Sequence, residues 1–119
     1  MARIFPTRRK STLALRQRKT AIIRQIAVHS DLLRASFVER YGQCGKPNCS
    51  CHQGDKHGPF YYLTQCLAAG HIKKFLLKGP QQQERARQGI AHFNELYEQL
   101  EELSQVNSEL LRREEPLSE

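Results

Sequence analysis

Apolar residues recur along one side of the stretch from Thr12 to Leu33, at Leu15, Ile22, Ile26 and Leu33. That spacing predicts an amphipathic helix. Arg16, Lys19 and Arg24 fall off the apolar line, and Ser11 or Thr12 is placed to cap the first turn through its side-chain oxygen. From Ala35 the period shortens. Ser36 to Tyr41 reads as a short strand with Phe37 and Tyr41 on one side. Pro59 to Leu67 alternates, with Phe60, Tyr62 and Thr64 on one face and Tyr61 and Leu63 on the other, and is rich in the aromatic residues that suit a pleated surface. Ala68 to His71 makes a turn. Ile72 to Lys78 returns as a second strand, so the two form a hairpin. Gly79-Pro80 then opens a last helix, with proline suited to its first position; it runs to about Arg113 and ends before Pro116.

These elements predict an α+β fold: a basic first helix, a small antiparallel sheet and a long C-terminal helix. The expected organisation is a basic flexible arm over 1–11, one small domain with a helical extension over 12–113, and an acidic tail over 114–119. Within the last helix the apolar steps alternate between three and four. Phe93, Leu100 and Asn107 take heptad position a, and Leu96, Leu103 and Leu110 take position d. Leucine at d with asparagine at a favours a parallel two-stranded coil, because paired amides set the register. A homodimer or a protein partner is therefore one use of the stripe. Packing on the chain's own sheet or first helix is the other.

Composition sharpens this picture. Only 39% of the 119 residues are hydrophobic, and tryptophan is absent, so the core is thin. Small domains of that kind are often held by a metal ion. The net charge of +7 is unevenly spread. Ten Lys/Arg stand against two Asp/Glu from Met1 to Gln43, five against one from Cys44 to Pro80, and four against nine from Gln81 on. A basic body suits a polyanion, of which nucleic acid is the commonest; pairing between the basic first helix and the acidic last one is the competing use of the same charges. No apolar run is long enough to span a membrane, and the first residues lack the apolar centre of a secretion signal. A cytoplasmic location, or a nuclear one in a eukaryote, is expected, with neither a membrane association nor a small-molecule substrate.

The chemistry is concentrated between residues 44 and 57. Cys44, Cys49, Cys51 and His57 are separated by turn formers, among them Gly45, Pro47, Asn48, Ser50 and Gly54. Three thiols and an imidazole on a chain that can curl match a tetrahedral zinc site. Four protein donors leave no open position for water, so the expected Zn2+ is structural. His52 rivals His57 as the fourth ligand, and a C-x-C redox pair of Cys49 and Cys51 is the alternative to metal. Asp55 is the carboxylate near enough to serve hydrolytic chemistry. Cys66, alone in a strand, reads as a small buried residue.

The stretch Cys44-Gly45-Lys46-Pro47-Asn48-Cys49-Ser50-Cys51, followed by His57-Gly58-Pro59-Phe60-Tyr61-Tyr62-Leu63, resembles a family of short uncharacterised bacterial and archaeal proteins. Members are often encoded near transposases and other mobile elements, and share the pattern C-G-K-P-N-C-x-C, a short gap, then H-G-P-Y-Y-Y-L. This chain has Phe60 where the first aromatic is usually tyrosine. The likeness spans about residues 35 to 110 and implies Cys44, Cys49, Cys51 and His57 as the shared polar set.

The functional expectation is a non-catalytic, zinc-stabilised nucleic-acid-binding protein, DNA before RNA, accessory to a mobile or defence element. Arg8, Arg9, Lys10, Arg16, Lys46, Lys73 and Lys74 are the candidate phosphate contacts. Tyr61 and Tyr62 are candidate stacking residues, with ordinary sheet packing as their other reading. The alternative function is a protein-interaction subunit that docks a larger enzyme such as a recombinase or transposase.

Overall fold

The computed structural model describes residues 3–54 and 56–118. Its elements are α1 (Thr12–Gln25), β1 (Ser36–Gly42), a 3-10 turn (Ser50–Gln53), β2 (His57–Cys66), a second 3-10 turn (Ala68–Gly70), β3 (Ile72–Leu76) and α2 (Gly79–Arg112). The α+β expectation holds. Among the described residues no helix is long and apolar enough to cross a membrane.

Two compact units form. One joins the N-terminal 30 residues to Phe93–Glu119; the other is Asp31–His92. In the first, Ser11 caps α1 by accepting the Ala14 N–H at 3.1 Å. Leu15 packs with Val106 and Leu110 of α2 in a small closed core. Leu110 is 0% exposed there. The d position assigned to an assembly face is thus filled by the chain's own first helix. Leu96 and Leu103 are half-buried and so is Phe93, whose ring lies 6.1 Å from that of Tyr97. Leu100 stays 49% exposed, and the buried Oδ1 of Asn107 has no hydrogen-bond partner.

α1 ends at Gln25 rather than Leu33, because Ile26 turns extended (ψ 123°) after donating its N–H to Ile22. The residues beyond include Val28, His29, Ser30 and Asp31, all weaker helix formers. Leu33 instead packs beneath the sheet. Within the stretch 1–11, expected as a flexible arm, backbone groups bond to side chains of α2 and the residue after it. Gln105 accepts the Phe5 N–H at 2.8 Å and donates to the Arg3 carbonyl at 2.7 Å. Arg113 donates to the Arg8 and Lys10 carbonyls.

Acidic and basic side chains also pair within this unit. Glu102 accepts from Nε and Nη2 of Arg18, each at 2.6 Å. Glu109 is nearly buried and accepts from Arg112 and Arg113, which hold its carboxyl down at about 2. An unfolded glutamate titrates at about 4.3. A pKa lowered by folding adds stability that is present above the unfolded value and is lost as pH falls toward the folded one. Glu109→Gln should therefore melt below the wild type at neutral pH. The gap should close between about pH 4 and pH 2, as read by thermal unfolding across that range.

In the second unit the strands form one antiparallel sheet in the order β1-β2-β3. Phe37 sits opposite Leu63, and Leu63 opposite Phe75. Leu63, Leu77 and Ala86 make the core, with Leu33, Ala35, Phe37, Tyr61 and Ile90 packed around it. One face of the sheet therefore lies on the first turns of α2. Cys66, expected inside, is exposed at the end of β2, and its carbonyl accepts from Arg34 at 2.8 Å.

Candidate metal centre and the adjoining sheet face

Strand pairing closes the cysteine loop. β1 and β2 run in register from Ser36↔Thr64 to Arg40↔Phe60, slip by a bulge, and pair again at Gly42↔His57. The two ends of the loop are thereby brought together, with Cys44 two residues beyond one end and His57 at the other. Gly58 is what lets β2 begin so close to the bulge. Its φ is +137°, and a Cβ there would stand 2.8 Å from the Tyr41 ring and 2.9 Å from the Arg40 carbonyl oxygen. Only glycine meets both conditions.

The loop between these ends folds back through a 3-10 turn that Cys49 precedes and Cys51 enters. The Cys49 N–H donates to the Lys46 carbonyl at 3.2 Å, and the His52 N–H to the Cys49 carbonyl at 3.2 Å. The outcome is a cluster. The sulfurs of Cys44, Cys49 and Cys51 and a ring nitrogen of His57 all lie within 4.8 Å of one another. Cys44 Sγ is 3.6 Å from Cys51 Sγ, and Cys49 Sγ is 3.0 Å from His57 Nε2. Thiolates bound to one tetrahedral ion at about 2.3 Å stand about 3.8 Å apart. The donor set is thus close enough to hold a metal ion with small side-chain adjustments.

The rivalry between the two histidines is resolved by where the turn points them. His52 Nε2 donates to the Lys46 carbonyl at 2.9 Å and stands outside the cluster. It fastens the loop, while His57 faces the sulfurs. Asp55 lies outside the described residues.

The thiols differ in character. The Cys49 thiol is lowered to about 6, first by the backbone N–H of Cys51 and then by its contacts with Cys44 and His57. Burial pushes the Cys51 thiol up, against the pull of the Cys44 backbone N–H, which donates to its sulfur at 3.3 Å. A bound cation would reverse that preference, because metal ligation deprotonates thiols outright.

Beside the cluster opens a cavity of about 500 Å³. Cys44, Cys49 and His57 form one wall, and Lys46 stands with them. Phe60, Tyr62, Arg40 and Lys74 reach it from the sheet, and Tyr41 from the bulge. Tyr41 donates its hydroxyl to Glu39 at 2.9 Å. The Lys74 ammonium lies 4.8 Å from the Tyr62 ring centre.

The candidate nucleic-acid residues are divided by this geometry. Tyr62, Lys46 and Lys74 share the cavity. Tyr61 points the other way, its ring 5.1 Å from Phe37 and under the Arg87 guanidinium, as part of the core. Tyr61 and Tyr62 therefore do not make one stacking surface, and Tyr61 takes its sheet-packing reading. Lys73 likewise leaves Lys74 and lies over Phe75. In the other unit Arg8, Arg9 and Lys10 are exposed, whereas Arg16 is engaged by Glu115 and the Pro116 carbonyl. The sequence alone does not mark Arg40, Tyr41 and Phe60 for this site. The alternation of β2 already set Phe60 beside Tyr62, but the cross-strand partner Arg40 required the register.

No curated protein and no solved structure matches the chain. A family model does match, over residues 12–75, from α1 through the cysteine loop and β2 into β3. The chain belongs to this family, the domain of unknown function DUF6788.

Proposed function

We propose that this chain is a cytoplasmic nucleic-acid-binding protein whose sheet is held by a structural zinc ion, serving as an accessory of a mobile or defence element. The observation that carries the reading is the cavity beside the Cys/His cluster. Arg40, Lys46 and Lys74 converge there with the aromatic rings of Phe60 and Tyr62. Cations that surround a hollow of this kind attract phosphates, and rings on its floor suit bases. Zinc is favoured over other ions because three thiolates and an imidazole are its usual tetrahedral set. Such a set fills the coordination sphere, which supports a structural role rather than a hydrolytic one. Exposed Arg8, Arg9 and Lys10 supply further positive charge in the other unit.

The second reading, a protein-interaction module, draws on Tyr97, Leu100 and Leu111, which are exposed on α2 at spacings that bring them to one side of it. Salt separates the two. Binding to labelled DNA or RNA oligonucleotides should weaken about tenfold or more between 50 mM and 200 mM salt if phosphates are neutralised. Anisotropy titration at the two concentrations reads this directly. An affinity for oligonucleotides that is absent at low salt would count for apolar docking instead.

A further inference from the structure

Among the described residues, the sheet carries its aromatic side chains on both faces, and only one face has a core to fill. Leu63, Tyr61 and Phe37 pack beneath, with Leu77 and Ala86. The opposite face is defined by the register Arg40↔Phe60, Val38↔Tyr62, Tyr62↔Leu76 and Thr64↔Lys74. It presents Phe60 at 39% exposure, with Tyr62 next to it and cations on either side. Rings left on a solvent face beside three positive side chains are placed for a ligand that has both flat apolar surfaces and negative charge.

We propose that this face binds an unpaired stretch of nucleic acid, with a base stacked on Tyr62 and Phe60 and the neighbouring phosphates held by Arg40, Lys46 and Lys74. The inference rests on the nucleic-acid reading above and specifies the form of the strand. A cavity of about 500 Å³ is on the scale of one nucleotide and its flanks, not of a duplex. Paired bases offer only their edges in the grooves, while an unpaired base offers the face on which a ring can stack. Lys74, now over the Tyr62 ring at 4.8 Å, is the group that an arriving base displaces toward a phosphate. Cys44, Cys49 and His57 form one wall of the same cavity, so an ion held by them would also fix Lys46 and the rim.

The test uses the full zinc-loaded chain with three probes: a single-stranded oligothymidine, an oligouridine of equal length, and a duplex. Both single strands should bind more tightly than the duplex, and a difference between them reports the sugar. Their affinity should fall with salt with a log–log slope of about −2, since three phosphates at about −0.7 each are neutralised. Tyr62→Ala should weaken the single strands by about tenfold to a hundredfold, and Tyr62→Phe should not. Lys74→Ala should weaken them, while Lys73→Ala, of equal charge change on the other face, should not.

A strand with abasic positions keeps its phosphates and loses its bases. It should bind the wild type as weakly as the intact strand binds Tyr62→Ala, and this control does not depend on how a variant folds. Equal binding of duplex and single strand, with no effect of abasic positions, would overturn the inference and leave the nucleic-acid reading standing. No salt-dependent binding of any probe would overturn both.

Discussion

Prepared without oxidation, the chain is expected to carry one equivalent of zinc, and a strong chelator should lower its melting temperature by about 15–30 °C. The reasoning is linkage. A ligand that binds only the folded state at about a thousand times its dissociation constant contributes about 4 kcal/mol. In a unit of this size each kcal/mol is worth about 4–8 °C. The Asp31–His92 unit has a core of Leu63, Leu77 and Ala86 with half-buried neighbours, and among the described residues its cysteine loop adds only Cys51 to the buried ones. Without an ion, the three sulfurs and the imidazole within 4.8 Å are left with thiol hydrogen bonds alone.

Cys49→Ser and His57→Ala should each lose stoichiometric metal, and His52→Ala should keep it, because His52 serves the Lys46 carbonyl. Elemental analysis of the four proteins reads the ligand set. A wild type without a transition metal, whose melting curve ignores the chelator, would end the metal reading and leave a thiol loop.

Gly89→Ala should destabilise the protein by about 2 kcal/mol, a fall in melting temperature of about 8–16 °C. The sign is the informative part. Glycine inside a helix normally costs about 1 kcal/mol relative to alanine, so the substitution ought to help. Here a Cβ would stand 2.4 Å from the Asp31 carbonyl oxygen and 2.9 Å from Leu33 Cδ1. The chain cannot simply step aside, because the Leu33 N–H donates to the Gly89 carbonyl at 3.0 Å and Leu33 packs into the core under the sheet. Gln88→Ala, at the exposed neighbouring position, should change stability by less than about 0.5 kcal/mol. Denaturant melts of both variants distinguish close packing at Gly89 from mere helix propensity; a stabilised Gly89→Ala would refute that contact.

The sequence marks both Lys46 and Tyr62 as candidates, yet they stand sixteen positions apart and line one cavity only because β1 and β2 pair. The distinction recurs throughout the chain. Local rules were sufficient for the hairpin, for a hydroxyl cap at Ser11 or Thr12, for the proline-opened last helix and for the choice of Cys44, Cys49 and Cys51 as donors. Each depends on a period, a turn residue or a donor type that a short window displays. The same rules overextended α1, since nothing local marks Leu33 as belonging beneath the sheet. Alternation along β2 already separates Tyr61 from Tyr62, and along β3 Lys73 from Lys74, but it does not say which face is left without a core.

What the sequence determined by itself is therefore the inventory: the α+β element order, a basic front and acidic back, and a four-donor loop. The tertiary structure alone decided which histidine faces the thiols, that Leu110 fills a core with Leu15, and that Arg40 joins Phe60, Tyr62 and Lys74. The physical reason is that these are contacts between residues far apart in the chain. Their distances come from strand register and helix packing, and a pattern read along one segment contains neither.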